Sequence, residues 1–325
     1  MGLGRASPLA LSSIAFQFPG QGSQFVGMGA ELAAARAEAK QTFEQADDLL
    51  GVALSRLCWD GPEEELRATE NAQPALLTHS IAVSRVLAAE GIEPECAAGH
   101  SLGEFSAHVV AGSLSFSDGL RLVRVRGEAM AATGRDRPGT MAAVIGMESA
   151  DVLALCDAVR GPDEVLTAAN FNAPGQIVVS GSVSAVRRAI DVASEWGARK
   201  AVELNVSGAF HSALMAPAAR ELGTVLDAVD VQTAICPVVA NVDAEPVTQP
   251  DAIRARLLEQ LTSPVHWVDC VSRLRDLGAT VFLEVGPGKV LTGLLKRIDR
   301  SLEGRAISTP EQIIEEASRS VSRPA

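Results

Sequence analysis

No C-x-x-C pair, no long run of lysine and arginine, and no apolar stretch of membrane-spanning length occurs in these 325 residues. Each absence excludes something. The five cysteines (Cys58, Cys96, Cys156, Cys236 and Cys270) are odd in number and widely spaced, which argues against a disulfide framework and a zinc site and fits a reducing cytoplasm. A net charge of −12 with no basic cluster argues against nucleic acid as a partner. Without an uninterrupted apolar run of about 20 residues, no transmembrane helix is expected. The opening "MGLGRASPLALSSIAF" is no better as a targeting segment. Its apolar stretch is short and broken by Ser12 and Ser13, and Ala6 stands where a myristoylation pattern needs Ser or Thr. Residues 1–12 are expected to form a disordered extension.

What is present is ample core material, with 47% hydrophobic residues, and an alternation of strand-like and helix-like segments. "SIAFQF" reads as a buried strand stopped by Pro19. A helical region follows over about 29–50, and "QPALLTHSIAVSRVLAAEG" has helical spacing and ends at Gly91. A short strand then runs into Ser101, with a helix to about Ala111 and another from Ser117, its expected N-cap, to about Ala132. From 138 to 206 the order becomes β-α-β-β-α-β, the ferredoxin-like split unit, between turn-rich flanks. After it come "PVVANV", a helix at "DAIRARLLEQL", the strand "TVFLEVG" and a final helix. The expected fold is therefore α/β. A core with a mainly parallel sheet (13–137 and 207–325) carries an inserted ferredoxin-like subdomain (138–206).

The stretch "AAGHSLGEFSAHVVAG" carries the chemistry. Gly99-His100-Ser101-Leu102-Gly103 fits the G-x-S-x-G elbow, where a sharp strand-to-helix turn exposes a serine oxygen beside the free N–H groups of a helix N-terminus. A serine hydroxyl needs a base. His100 is adjacent and diverges from it, and His108 lies about 10 Å along the following helix. His79 sits in an alanine- and leucine-rich helix and reads as packing. His211 and His266 remain. His211, after a strand and a flexible "SGAF" loop, is favoured over His266, which lies between Pro264 and Trp267. Arg126 is out of place in another way. Its neighbours at three and four positions are Leu122, Val123, Ala129 and Met130, so it either snorkels outward or meets a buried anion. Two glycine-rich segments fail as nucleotide sites. In "EVGPGKVLTG" Leu283 occupies the first glycine position of a phosphate loop, and "PGQGSQFVGMG" lacks the G-x-G-x-x-G spacing.

Taken together and in order, "FPGQGSQFVGMG", "GHSLGEFSA", "RLVRVRGEAM", "NFNAPGQIVVSG", "GAFHSALM" and "EVGPGKVLTGLLKRI" resemble the malonyl-CoA:acyl carrier protein transacylase family, related to polyketide synthase acyltransferase domains, over about residues 14–300. The resemblance implies an α/β hydrolase-like core and ping-pong transfer of malonyl from malonyl-CoA to the phosphopantetheine thiol of acyl carrier protein, for fatty acid or polyketide synthesis. It implies no metal or prosthetic group. By position it makes Ser101 the acylated nucleophile, His211 its base and Arg126 the grip on the malonyl carboxylate. Gln21 and Leu102 would supply the oxyanion-hole N–H groups, the backbone carbonyl of His266 would orient the base, and Phe210 would crowd a 2-methyl branch. A thioesterase or other serine hydrolase would use the same Ser and His. It would usually add an acidic residue at a strand end before the histidine, where the β-α-β-β-α-β unit lies here. A non-catalytic carrier-protein docking module would have no need of Ser101, His211 and Arg126 together.

Overall fold

The computed structural model describes residues 13–321, so the extension expected over residues 1–12 lies outside the described residues. In chain order the strands are β1 (Ser13–Phe18), β2 (Cys96–Gly99), β3 (Gly139–Ile145), β4 (Leu166–Ala173), β5 (Gln176–Ser182), β6 (Lys200–Glu203), β7 (Val238–Val239), β8 (Pro246–Val247), β9 (Ala279–Val285) and β10 (Glu303–Ile307). Six of them form one sheet in the order β10-β9-β1-β2-β7-β8, parallel throughout except between β7 and β8. Its central strands β1, β2 and β9 are almost wholly buried, which is why they read as near-continuous apolar runs rather than alternating ones. The remaining four form an antiparallel sheet, β4-β5-β3-β6. Helices Ser149–Val159 and Val183–Val192 cover it, burying Val152, Leu155, Ala185, Val186 and Ala189 against the strands. This is the α/β architecture anticipated from the sequence, a mostly parallel sheet with a separate antiparallel subdomain. No helix among the described residues is long and apolar enough to cross a membrane.

Two long helices carry much of the core, Thr69–Ala89 and Phe116–Asp136. The first contains Pro74, which cannot donate to the carbonyl of Glu70 four residues back. That carbonyl accepts instead from Arg124 Nη1 of the second helix at 2.7 Å. Gly127 lets the two backbones meet there, since a Cβ at this position would stand 2.8 Å from Glu70 Cα. The contact that repairs the proline break thus also fixes the height of Arg126 beside the first helix.

Three boundaries differ from the sequence reading. The second long helix is capped by Ser115, whose Oγ accepts from the Asp118 N–H at 3.0 Å, and not by Ser117, which lies inside the helix. The expected helix over 29–50 is two, Ala30–Ala35 and Ala37–Leu50, separated by the extended backbone of Arg36. Beyond helix Val290–Ile298, expected to be the last, come β10 and helix Pro310–Val321. In β10 only Ile307 is fully buried, so the strand carries little apolar signal.

"EVGPGKVLTG", rejected as a phosphate loop, has a structural job. Glu284 at the end of β9 is fully buried, and its two carboxylate oxygens accept from the N–H groups of Leu291 at 2.9 Å and Thr292 at 2.7 Å, capping helix Val290–Ile298. Glu284→Ala leaves both donors unpaired in the interior. It is expected to cost about 2–4 kcal/mol, read as a lower urea midpoint with an unchanged m-value. An unshifted midpoint would show that water replaces the cap at no cost.

Candidate active site

Strand β2 ends at Gly99 and the next helix begins at Gly103, so the chain reverses direction in three residues. Ser101, at the apex, takes a left-handed φ of 51°. The flanking glycines are required by space. A Cβ on Gly99 would lie 1.8 Å from the Gly103 carbonyl carbon, and one on Gly103 would lie 2.1 Å from the Phe18 carbonyl oxygen. The turn is pinned by Asn241, fully buried just beyond β7. Its Oδ1 accepts from the Ser101 N–H at 2.7 Å, and its Nδ2 donates to the Gly99 carbonyl at 2.7 Å.

Ser101 Oγ lies 2.7 Å from His211 Nε2. His211 is itself left-handed, with φ 56°, after the loop that leaves β6. Its Nδ1 faces the backbone carbonyls of Gln260 at 2.9 Å and Ser263 at 3.2 Å. Burial first, then the nearby Arg126 cation, push the imidazole down to about 3, so it is neutral at pH 7. Two acceptors at Nδ1 fix the proton there and leave the Nε2 lone pair to accept from the serine hydroxyl.

The expectation for His266 is corrected. Its carbonyl accepts from the Cys270 N–H at 2.9 Å in the first turn of helix Trp267–Asp276, so it is spent on the helix and does not face His211. The His266 ring stacks on Phe171 at 5.2 Å between centroids, and the His266 backbone N–H donates to the Asn241 carbonyl. The other histidines are engaged elsewhere. His100 Nε2 meets Asn172 Oδ1 at 2.8 Å, His108 Nδ1 meets Ser113 Oγ at 2.9 Å, and His79 is buried near Phe43.

Arg126 does not snorkel. It is 1% exposed, with Nη1 donating to Gln73 Oε1 at 2.7 Å and Nη2 donating to Gln260 Oε1 at 2.8 Å and to Ser101 Oγ at 3.0 Å. Burial lowers its pKa to about 10, which leaves it charged at neutral pH. Gln21, Ser101, Leu102, Arg126, Phe210 and His211 line one cavity of about 430 Å³. Thr69 Oγ1 donates to Gln21 Oε1 at 2.6 Å and steadies that loop. The backbone N–H groups of Gln21 and Leu102 enter no hydrogen bond among the described residues. The site thus brings together six of the seven expected residues and leaves His266 outside. Sequence reasoning missed Gln73, Asn241 and Gln260. Gln73 alone carried a signal, as a polar residue directly before the apolar run of helix Thr69–Ala89.

A parallel sheet ending in a serine elbow, with a neutral histidine at the hydroxyl and a buried cation beside it, defines an acyl-transfer type of α/β protein, and the acyl transferase domain family matches residues 15–316. The malonyl CoA-acyl carrier protein transacylase of Bacillus subtilis is 48% identical over 303 residues, covering 93% of this chain and 96% of that protein. The crystal structure of the malonyl-CoA:acyl carrier protein transacylase of Xanthomonas oryzae superposes with a TM-score of 0.91 at 46% identity, covering 96% of this chain and 99% of that one. A type II polyketide synthase acyl carrier protein in complex with its malonyl transacylase gives 0.92 at 42% identity, with 95% and 100% covered. The chain belongs to the malonyl-CoA:acyl carrier protein transacylase family.

The depressed His211 pKa gives a signed prediction. A base that is neutral down to about pH 3 keeps its lone pair well below the ordinary histidine range. Single-turnover acylation at saturating malonyl-CoA is therefore expected to show no acid limb near 6.5. A limb there would mean that the imidazole is not desolvated in the working enzyme.

Proposed function

We propose that this chain transfers malonyl from malonyl-CoA to the phosphopantetheine thiol of an acyl carrier protein through an ester on Ser101. The observation that carries the reading is the buried Arg126 guanidinium 3.0 Å from the Ser101 hydroxyl, a cation placed where an acyl group with a terminal carboxylate would reach it. His211 Nε2 takes the Ser101 proton as Oγ attacks the thioester carbon. The carbonyl oxygen becomes an oxyanion next to the Gln21 and Leu102 N–H groups. On collapse the C–S bond breaks, and the His211 proton passes to the leaving coenzyme A sulfur. The carrier thiol then gives its proton to His211 Nε2 as its sulfur attacks the ester carbon, and on collapse the C–O bond breaks and that proton returns to Ser101 Oγ. The His211 imidazolium is supported by two neutral carbonyls in place of the usual carboxylate of a serine hydrolase. Phe210 is only 6% exposed and walls the cavity beside His211, where it limits room at the acyl α-carbon.

Five free buried cysteines support a reducing, cytoplasmic setting. For carrier docking, Lys289, Lys296 and Arg297 are exposed and enter no ion pair among the described residues, whereas Arg187 and Arg188 of the subdomain pair with Glu203 and Glu164.

Mass spectrometry after incubation with malonyl-CoA should find a malonyl adduct on the parent protein and none on Ser101→Ala. Turnover should also require carrier protein, and equal turnover without it would make the enzyme a hydrolase. The grip is tested by substrate ratio. Arg126→Ala should lose kcat/KM for malonyl-CoA by roughly 10²-fold or more, as expected when a buried carboxylate is left without its partner, while acetyl-CoA is harmed far less. Arg126→Lys should recover only part, since a point charge cannot reproduce the fork. Equal loss for both substrates would make Arg126 structural.

A further inference from the structure

Glu104 is fully buried on the first turn of the helix after Ser101, and the steps above make no use of it. Its Oε2 accepts from Gln260 Nε2 at 2.7 Å and from the Asn241 N–H at 3.1 Å, while Oε1 has no hydrogen-bond partner. The other end of the same amide, Gln260 Oε1, accepts from Arg126 Nη2 at 2.8 Å. A single primary amide therefore lies between a buried carboxyl and a buried guanidinium. Its oxygen faces the cation and its NH₂ faces the anion; the reverse orientation would set donor on donor and acceptor on acceptor. That NH₂ also reaches the Ser101 carbonyl at 3.0 Å, and the Gln260 backbone carbonyl holds His211. The orientation of Gln260 thus links nucleophile, base and cation, and Glu104 sets it.

The charges around this bridge are few. Arg126 on helix Phe116–Asp136 is the cation, and Asp243, in the loop after β7, adds negative potential at Glu104. Cys270 on helix Trp267–Asp276 is held as a neutral thiol by burial. His108, one turn along Glu104's own helix, and His211 are both buried and pushed down to about 3, hence neutral. Burial first raises Glu104 to about 7, against the pull of Gln260, Asn241 and Arg126. A substrate carboxylate entering on Arg126 puts two carboxylates around one cation in a dry site, where one of them gives up its charge. For Glu104 this breaks no hydrogen bond, because Oε2 can keep both donors as the carbonyl oxygen of the acid while the unpartnered Oε1 carries the proton.

We propose that Glu104 is a positioning residue that holds Arg126 through the Gln260 amide and takes up one proton from solvent on Oε1 as the substrate carboxylate binds. This rests on the malonyl-transfer reading above. Calorimetric titration of Ser101→Ala, which cannot be acylated, in two buffers of unlike ionisation enthalpy at pH 7.5 counts protons on binding alone. Malonyl-CoA should bring in on the order of half a proton or more per site, and acetyl-CoA none. In the Ser101→Ala/Glu104→Gln double variant the uptake should vanish. In otherwise native protein, KM for malonyl-CoA should rise above pH 7 by up to about tenfold per unit, and Glu104→Gln should flatten that rise. Malonyl-CoA binding to Ser101→Ala without proton uptake overturns the proposal and leaves the transfer reading standing. Absence of both malonyl-CoA binding and a malonyl-serine on the parent overturns the two together. Should Glu104→Gln fail to fold, the contrast between malonyl-CoA and acetyl-CoA on Ser101→Ala decides alone.

Discussion

The turn at Ser101 is a constraint to which much of the structure answers. A serine with φ of 51° between two glycines is an unfavourable backbone state, of order 1–3 kcal/mol, and it persists only where its surroundings over-determine it. Here they do. The Asn241 side chain takes one backbone donor and one backbone acceptor of the turn, and Asn241 stands where it does because β7 pairs in parallel with β2. The sheet therefore does more than support the elbow from below. It delivers from the neighbouring strand the amide that closes the turn, while the N–H groups of Gly103, Glu104 and Phe105 donate to the His100, Ser101 and Leu102 carbonyls and leave the Leu102 N–H, just before the helix, without a hydrogen bond among the described residues.

Charge in the site is handled by enclosure. In water a carboxylate and a guanidinium attract weakly, whereas in a dry cavity the same pair is strong and an unpaired partner is costly. Arg126 is held in that cavity by two glutamine oxygens, Gln73 Oε1 and Gln260 Oε1, which are neutral acceptors. Neutral acceptors engage the Nη1 and Nη2 donors without cancelling the charge, and Nε has no hydrogen-bond partner. A direct salt bridge would have spent the attraction that the proposed grip on a malonyl carboxylate requires. The same economy appears at His211, where carbonyl acceptors fix the tautomer without raising basicity as far as a carboxylate would.

How much of this was legible depended on whether a residue's role is local. The G-x-S-x-G elbow is a five-residue steric pattern, and the order β-α-β-β-α-β is a string of short-range periodicities, so both could be read from the sequence. The mismatch of Arg126 with its own helix face was visible for the same reason. Asn241 and Gln260 act across 140 and 159 residues of chain, as bonds to the Ser101 N–H and carbonyl, and nothing next to either in sequence signals that. His266 misled because it lies only a few residues from the carbonyls that matter. Which carbonyl is free depends on where helix Trp267–Asp276 starts, a boundary that the sequence leaves uncertain by a few residues. β10 was missed because only one of its five residues is fully buried.

The inserted sheet belongs to the chemistry as well as to the walls. Phe171 of β4 donates its N–H to the Val265 carbonyl at 2.9 Å, and the Val265 N–H donates back to Ala169 at 2.8 Å, so the segment 260–266 is stitched to the subdomain's strand. That same segment carries the Gln260 and Ser263 carbonyls on His211 and the Gln260 amide on Arg126. The cavity above Ser101 is roofed by Met141, Asn170, Asn172 and Val178 from the same sheet. Any shift of the subdomain relative to the core therefore acts on two things at once, the room above Ser101 and the orientation of the imidazole that is hydrogen-bonded to its hydroxyl. A transferase must hold its acyl-enzyme against water until a thiol arrives, and here the sheet that roofs the cavity over Ser101 also holds the loop whose carbonyls face His211.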